Sequence, residues 1–231
     1  MDGVLAVARA LFLALTLGAC TTDSTVQPVV RGLFDSALAA FGEQEEEAPR
    51  GKRTPTRAQI EASGRALVQF NLEGEDIFPI LIAQSQNGPY VTYFSQQRQS
   101  LTLRESQITA TRGLGTDLVS ASSSEDDPLK VVTPPDAWPS EVSREYRFGG
   151  GPDGRIERYE CEIIRAAPAE IVLAGETVAV IGFAENCAGP DGTFQNLYAA
   201  DADDGRVLQS KQYVGRDIAA IILDVLEPVT E

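Results

Sequence analysis

Histidine is absent from all 231 residues. That omission removes Ser-His-Asp and Cys-His catalysis, histidine-ligated zinc and imidazole acid-base chemistry. Basic residues are scarce too, 19 Lys and Arg against 34 Asp and Glu, for a formal net charge of −15. With no basic face to neutralise phosphates, nucleic acid is excluded as a partner, and so is charge-driven adhesion to an anionic leaflet. The three cysteines contain no Cys-x-x-Cys pair, which argues against thiol redox chemistry. Gly113-Leu114-Gly115 lacks the third glycine and the basic residue of a phosphate loop and reads as a turn. Asp201-Ala202-Asp203-Asp204-Gly205 has its glycine one place early for a calcium loop and no closing glutamate, so it reads as a hairpin turn. No cofactor, metal site or catalytic residue is therefore expected.

What is present begins with a short apolar segment, Leu11-Phe12-Leu13-Ala14-Leu15-Thr16, running into Leu17-Gly18-Ala19-Cys20. The segment is too short to cross a bilayer as a helix and sits where a signal sequence belongs. Small residues before a cysteine make a lipobox, predicting cleavage after residue 19 and acylation of Cys20. At ~0.8 kcal/mol per buried methylene, several acyl chains hold the protein on a membrane. Thr21 and Thr22 follow the cysteine with no retaining aspartate, so the outer membrane, facing the periplasm, is the expected location. With Cys20 acylated, Cys161 and Cys187 form an even pair in an oxidising compartment and are expected to be disulfide-bonded.

Residues 1–19 are thus read as signal peptide, 20–55 as a lipidated tether and 56–231 as one folded domain, for which the 43% hydrophobic content is sufficient. In the tether, Val30, Leu33, Phe34, Ala37, Leu38 and Phe41 recur at helical spacing, and residues 42–55 form a charged linker. Thr56-Arg57-Ala58-Gln59 has capping-box spacing and Gly64 suits a left-handed stop, predicting a helix over 57–63.

From residue 65 the period changes to two. Strands are expected over 66–72, 77–83, 90–94, 100–103, 108–111, 144–148, 155–164, 170–173, 177–185, 194–200, 207–214 and 218–226, punctuated by turns at Asn87-Gly88-Pro89, Gly151-Pro152-Asp153-Gly154 and Asp203-Asp204-Gly205. The last segment also fits a helix, but its β-branched content and Pro228 favour a strand. The fold class is mainly β, an antiparallel meander forming a barrel-like or sandwich domain. Residues 117–142, rich in Ser, Asp and Pro, form the longest non-periodic stretch, either a functional loop or a crossing between sheets. Trp138 within it is either an anchor plugging the loop onto the domain or a platform for a sugar ring.

Carboxylates are the abundant acid-base groups, and two facing ones can hydrolyse a glycosidic bond. Glu157, Glu160 and Glu162 flank Cys161 and Glu185 precedes Cys187, so a disulfide would gather acids from both segments. A carboxylate-dependent glycan-modifying enzyme is one alternative this leaves, and a general envelope-integrity lipoprotein is another.

Several segments together carry a resemblance: the lipobox, Thr56 through Arg65, Leu101-Thr102-Leu103, Thr111-Arg112-Gly113-Leu114-Gly115-Thr116-Asp117-Leu118, the two cysteines, and Gln209 through Gly215. The chain resembles the YjbF/GfcB family of outer-membrane lipoproteins of exopolysaccharide and group-four capsule loci. That resemblance implies a mostly β, non-enzymatic lipoprotein assisting polysaccharide secretion or assembly beside an outer-membrane β-barrel protein and a periplasmic partner. The turn at Arg112, Gly113, Leu114, Gly115 and Asp117, together with Trp138, is the expected contact with partner or polysaccharide.

Overall fold

A computed structural model describes residues 54–149 and 154–229. Cys20, the amphipathic segment 29–41 and most of the linker lie outside them, as does most of the turn at 151–154. Helix α1 (Arg57–Ser63) forms as its caps predict: the Thr56 hydroxyl accepts from the Gln59 amide, the Gln59 side chain accepts from the Thr56 amide, and Gly64 closes the helix in the left-handed conformation.

Twelve strands follow: β1 (Leu67–Leu72), β2 (Ile80–Asn87), β3 (Tyr90–Phe94), β4 (Ser100–Arg104), β5 (Gln107–Arg112), β6 (Leu118–Ser123), β7 (Glu141–Phe148), β8 (Arg155–Leu173), β9 (Glu176–Gly189), β10 (Gly192–Asp201), β11 (Val207–Gly215) and β12 (Ala219–Glu227). They form one antiparallel sheet in the order β5-β4-β3-β2-β1-β12-β11-β10-β9-β8-β7-β6. The ends of that order, β5 and β6, are consecutive in the chain, so the sheet curls into a nearly closed barrel with a single seam between them. The last segment is a strand, β12, pairing with both β1 and β11.

Two expectations change. Residues 118–123 belong to β6, paired with β7, and the rest of the 117–142 stretch is a loop with two 3-10 turns, Pro128–Lys130 and Pro135–Ala137; it crosses between no two sheets. The strands expected at 155–164 and 170–173 are one strand, β8, whose register against β9 slips between Arg165 and Pro168. A bulge is where a sheet tolerates a proline, since no ladder amide is required of it there.

Side chains alternate about the barrel wall. Val142, Tyr146, Phe148, Tyr159, Cys161, Ile163, Phe183, Cys187 and Tyr198 point inward with Val68, Phe70, Leu81, Leu101, Ile221 and Leu223. A second apolar layer covers part of the outside. Ile171, Val180 and Ala199 pack together there, and Leu173 and Ala174, at the tip of the β8-β9 hairpin, reach Ile60, Leu67 and Leu226. Strands lie about 4.8 Å apart, so β8 meets β1 only by laying its far half over the outer faces of the strands between. The hairpin is an arm that ends against α1, and Arg57 fixes the helix beside it by bonding the Leu226 carbonyl (3.1 Å) and the Glu227 carboxylate.

Candidate functional site

The Thr111-to-Leu118 segment lies at one end of the seam, and its residue types follow from the turn it makes. Gly113 (φ 78°) and Gly115 (φ 108°) hold positive φ, which a side chain would strain. Asp117 turns its carboxylate back into the loop, accepting from the amides of Gly113 (3.1 Å) and Leu114 (3.2 Å) and from the Thr111 hydroxyl (3.4 Å). The Thr111 hydroxyl in turn accepts from the Leu118 amide (2.9 Å), and Arg112 donates to the Leu118 carbonyl (3.0 Å). Side chains thus supply the bonds a ladder would give, and the turn joins the end of β5 to the start of β6.

Further along, β5 is tied to the far wall of the barrel by a residue from another strand. Gln212, on β11, crosses the interior to accept from the Ile108 amide (3.1 Å) and donate to the Ser106 carbonyl (2.8 Å). Gln107 donates to Ser123 (3.3 Å), linking β5 to β6 directly.

Trp138 stacks on Phe183, with centroids 3.8 Å apart and planes 11° apart, and its indole donates to the Thr133 carbonyl (3.1 Å). These contacts are those of an anchor securing the loop. Trp138 precedes the start of β7, whereas Leu118 pairs with Phe148 at its other end. Eight residues at ~3.3 Å each separate the two by roughly 26 Å, so the structure does not bring the expected contact residues together.

Cys161 and Cys187 face each other across β8 and β9 and are disulfide-bonded. Their sulfurs lie near the Glu185 carboxylate, but bonded to each other they offer no thiolate for a metal. The acids flanking them divide by strand parity. Glu160 and Glu162 are exposed outside, in a shallow hollow with Glu141, while Glu157 and Glu185 are buried inside with zero exposure.

Glu185 is held by Arg144 Nε (2.6 Å), Asn196 (2.7 Å) and the Tyr198 hydroxyl (2.6 Å), and Arg144 also donates to the buried Asp127 (2.8 Å). Burial opposes the Arg144 charge, but Glu185 and Asp127 outweigh it and keep its pKa above the ordinary arginine value. Glu157 accepts from the hydroxyls of Tyr159 and Tyr213, both 2.9 Å, with Arg155 Nε 2.9 Å and Arg216 Nε 3.5 Å from its other oxygen. Burial, reinforced by Glu157, pushes the Tyr159 hydroxyl up to about 12 and Tyr213 higher still. Glu185 thus has both oxygens hydrogen-bonded within the protein, whereas Glu157 has one oxygen bonded by two phenols and the other facing Arg155 and Arg216 as an ion pair without a hydrogen bond. The sequence reading brought the acids near the disulfide but missed Arg144, Asp127 and Gln212.

The opposite end of the barrel holds a cavity of about 710 Å³ between the β2-β3 and β4-β5 turns, the loop at 130–132 and the chain after β12. The Asp201 carboxylate accepts from the amides of Asp203 (2.8 Å) and Asp204 (3.2 Å), making residues 201–205 a self-capped hairpin turn.

A family model described as group 4 capsule polysaccharide lipoprotein gfcB, YjbF matches residues 25–226. Among solved structures, the chain is similar to the hypothetical lipoprotein YmcC from Escherichia coli (K12). The TM-score is 0.64 at 19% identity, covering 91% of this chain and 100% of that one, a likeness of fold. No curated protein matches.

Proposed function

Because the chain belongs to the YjbF/GfcB family of group 4 capsule polysaccharide lipoproteins, we propose that it is a non-enzymatic accessory for secretion or assembly of an exopolysaccharide or capsule. In this reading the Cys20 lipid fixes it to the outer membrane facing the periplasm. The linker gives it reach, and the barrel docks on an outer-membrane β-barrel protein, with a periplasmic partner of the same locus alongside. The observation that carries the non-enzymatic part is the condition of the interior acids. Glu157 and Glu185, the two interior members of the acids gathered near the disulfide, are surrounded by guanidinium, amide and phenol donors. A general acid must be able to surrender its proton to substrate, and both side chains are fully buried. The pinned turn at Arg112 to Asp117 supports docking, because a rigid surface binds without paying to become ordered.

Deleting the gene tests this reading. Secreted polysaccharide should fall, return with the wild-type gene, and stay low with Cys20→Ala; a barrel protein should co-purify with the wild type from membranes. Normal polysaccharide output together with detergent sensitivity would overturn it in favour of a general envelope role.

A further inference from the structure

The barrel-mouth cavity has a lining unlike the rest of this acidic protein. Val91, Tyr93, Leu103, Val207 and Val225 line it, with Lys130, Arg206 and Glu105 among its polar residues. At about 710 Å³ it falls in the range of small-molecule sites, and a barrel wider than eight strands has room to enclose a ligand.

Three observations specify the ligand. Seven of the lining residues are Val or Leu beside a polar rim, Tyr93 is the one aromatic among them, and Val131, beside the opening, keeps 62% of its surface exposed, which suits a flexible hydrocarbon better than a sugar ring seeking aromatic faces. Tyr93, only 4% exposed, borders the cavity with its phenol. Lys130 donates to the carbonyls of Ser123 (3.3 Å) and Ser124 (2.6 Å) and, among the described residues, pairs with no carboxylate. In a chain of net charge −15, a lining lysine without a carboxylate partner favours an anion. The neighbouring Arg206 is already neutralised by Glu105 at 2.8 Å.

We infer that this cavity binds the hydrocarbon chain of an anionic amphiphile, a fatty acid or an acidic phospholipid, with the chain among Val91, Leu103, Val207 and Val225 and the anionic head at Lys130. This goes beyond the export role, which rests on other residues and a different assay.

The test uses the full chain carrying Cys20→Ala, so that no detergent is needed, and cis-parinaric acid, a fatty acid whose fluorescence rises in apolar surroundings. One molecule should bind saturably per chain, with the uncharged methyl ester weaker by roughly tenfold, the value of one charge-assisted hydrogen bond. Lys130→Gln, which can keep one of the two carbonyl bonds, should bring the acid down to the ester's affinity. Val91→Trp, or Val229→Trp should the first fail to fold by circular dichroism, should abolish binding of both. Displacement of the probe by oleate alone assigns a single-chain ligand; displacement by dioleoylphosphatidylglycerol vesicles as well assigns a bilayer lipid. Absence of saturable uptake, equal affinity for acid and ester, or undiminished binding to a folded tryptophan variant overturns the assignment.

Discussion

Arg144 and Glu185 meet at 2.6 Å inside the barrel, both essentially without solvent exposure, although 41 residues separate them in the chain. Asp127 completes the cluster from the loop between β6 and β7, so the loop and two walls of the barrel share one guanidinium. Replacing Arg144 with methionine leaves two buried carboxylates uncompensated. The expected loss is about 3–5 kcal/mol of unfolding free energy, measured by urea denaturation. A variant that also carries Asp127→Asn and Glu185→Gln should recover part of that loss, since the stranded charge, and not the missing pair, dominates the cost.

Burial raises the pKa of five of the six tyrosines, with Tyr93 and Tyr159 each reaching about 12 and Tyr146, Tyr198 and Tyr213 shifted upward as well. A raised phenol pKa means the folded state keeps a proton that the unfolded chain releases. The associated stability is therefore intact below the unfolded value near 10 and is lost as pH climbs through the folded values. Absorbance titration of phenolate should show these tyrosines resisting ionisation until alkaline unfolding, then ionising together. Tyr93→Phe should make the fall in stability between pH 10 and 12 shallower.

The Cys161–Cys187 disulfide closes a 26-residue separation that includes the whole arm. Substituting both cysteines by alanine should lower stability by about 3.5 kcal/mol in the chain-entropy description, read from the denaturation midpoint. Reductant should shift the wild type toward the variant and leave the variant unmoved.

Asp117 receives two amides and a hydroxyl in the seam turn. Asp117→Ala should cost about 1–3 kcal/mol and accelerate hydrogen exchange at Gly113, Leu114 and Leu118, leaving exchange in β9 and β10 unaltered. Gln212→Leu should release β5 from β11, with faster exchange at Ile108.

Helix α1 and most strands were legible because their signals are local. A capping box specifies 57–63, and alternation with turn residues specifies β3 within its observed limits, Tyr90–Phe94. Strand β6 was not, because Leu118-Val119-Ser120-Ala121-Ser122-Ser123 carries small polar side chains and one fully buried apolar residue, and so offers almost no period. Strand β8 was read as two because Ala166-Ala167-Pro168-Ala169 looks like an interruption, whereas the arm absorbs it as a slip in register. Arg144 was missed for a different reason: the strand was read from its apolar residues, and no role was sought for the charge that shares their face. Its parity with Val142, Tyr146 and Phe148 places it on the inward face, and Glu157 and Glu185 share parity with Cys161 and Cys187. The alternation thus already marked these charges as interior, and only the partner across the lumen, which depends on barrel closure, was beyond local inspection.

Pairing of Phe70 with Leu223 sets the order in which this molecule can be made. Every other ladder joins neighbours in the chain and can form as a growing hairpin array, but the join of β1 to β12 waits for the final strand to be made. Until then the polypeptide is an open ribbon with two unsatisfied borders, still thin enough to be threaded. Closure is consequently the last event of folding, possible only once β12 is present alongside β1.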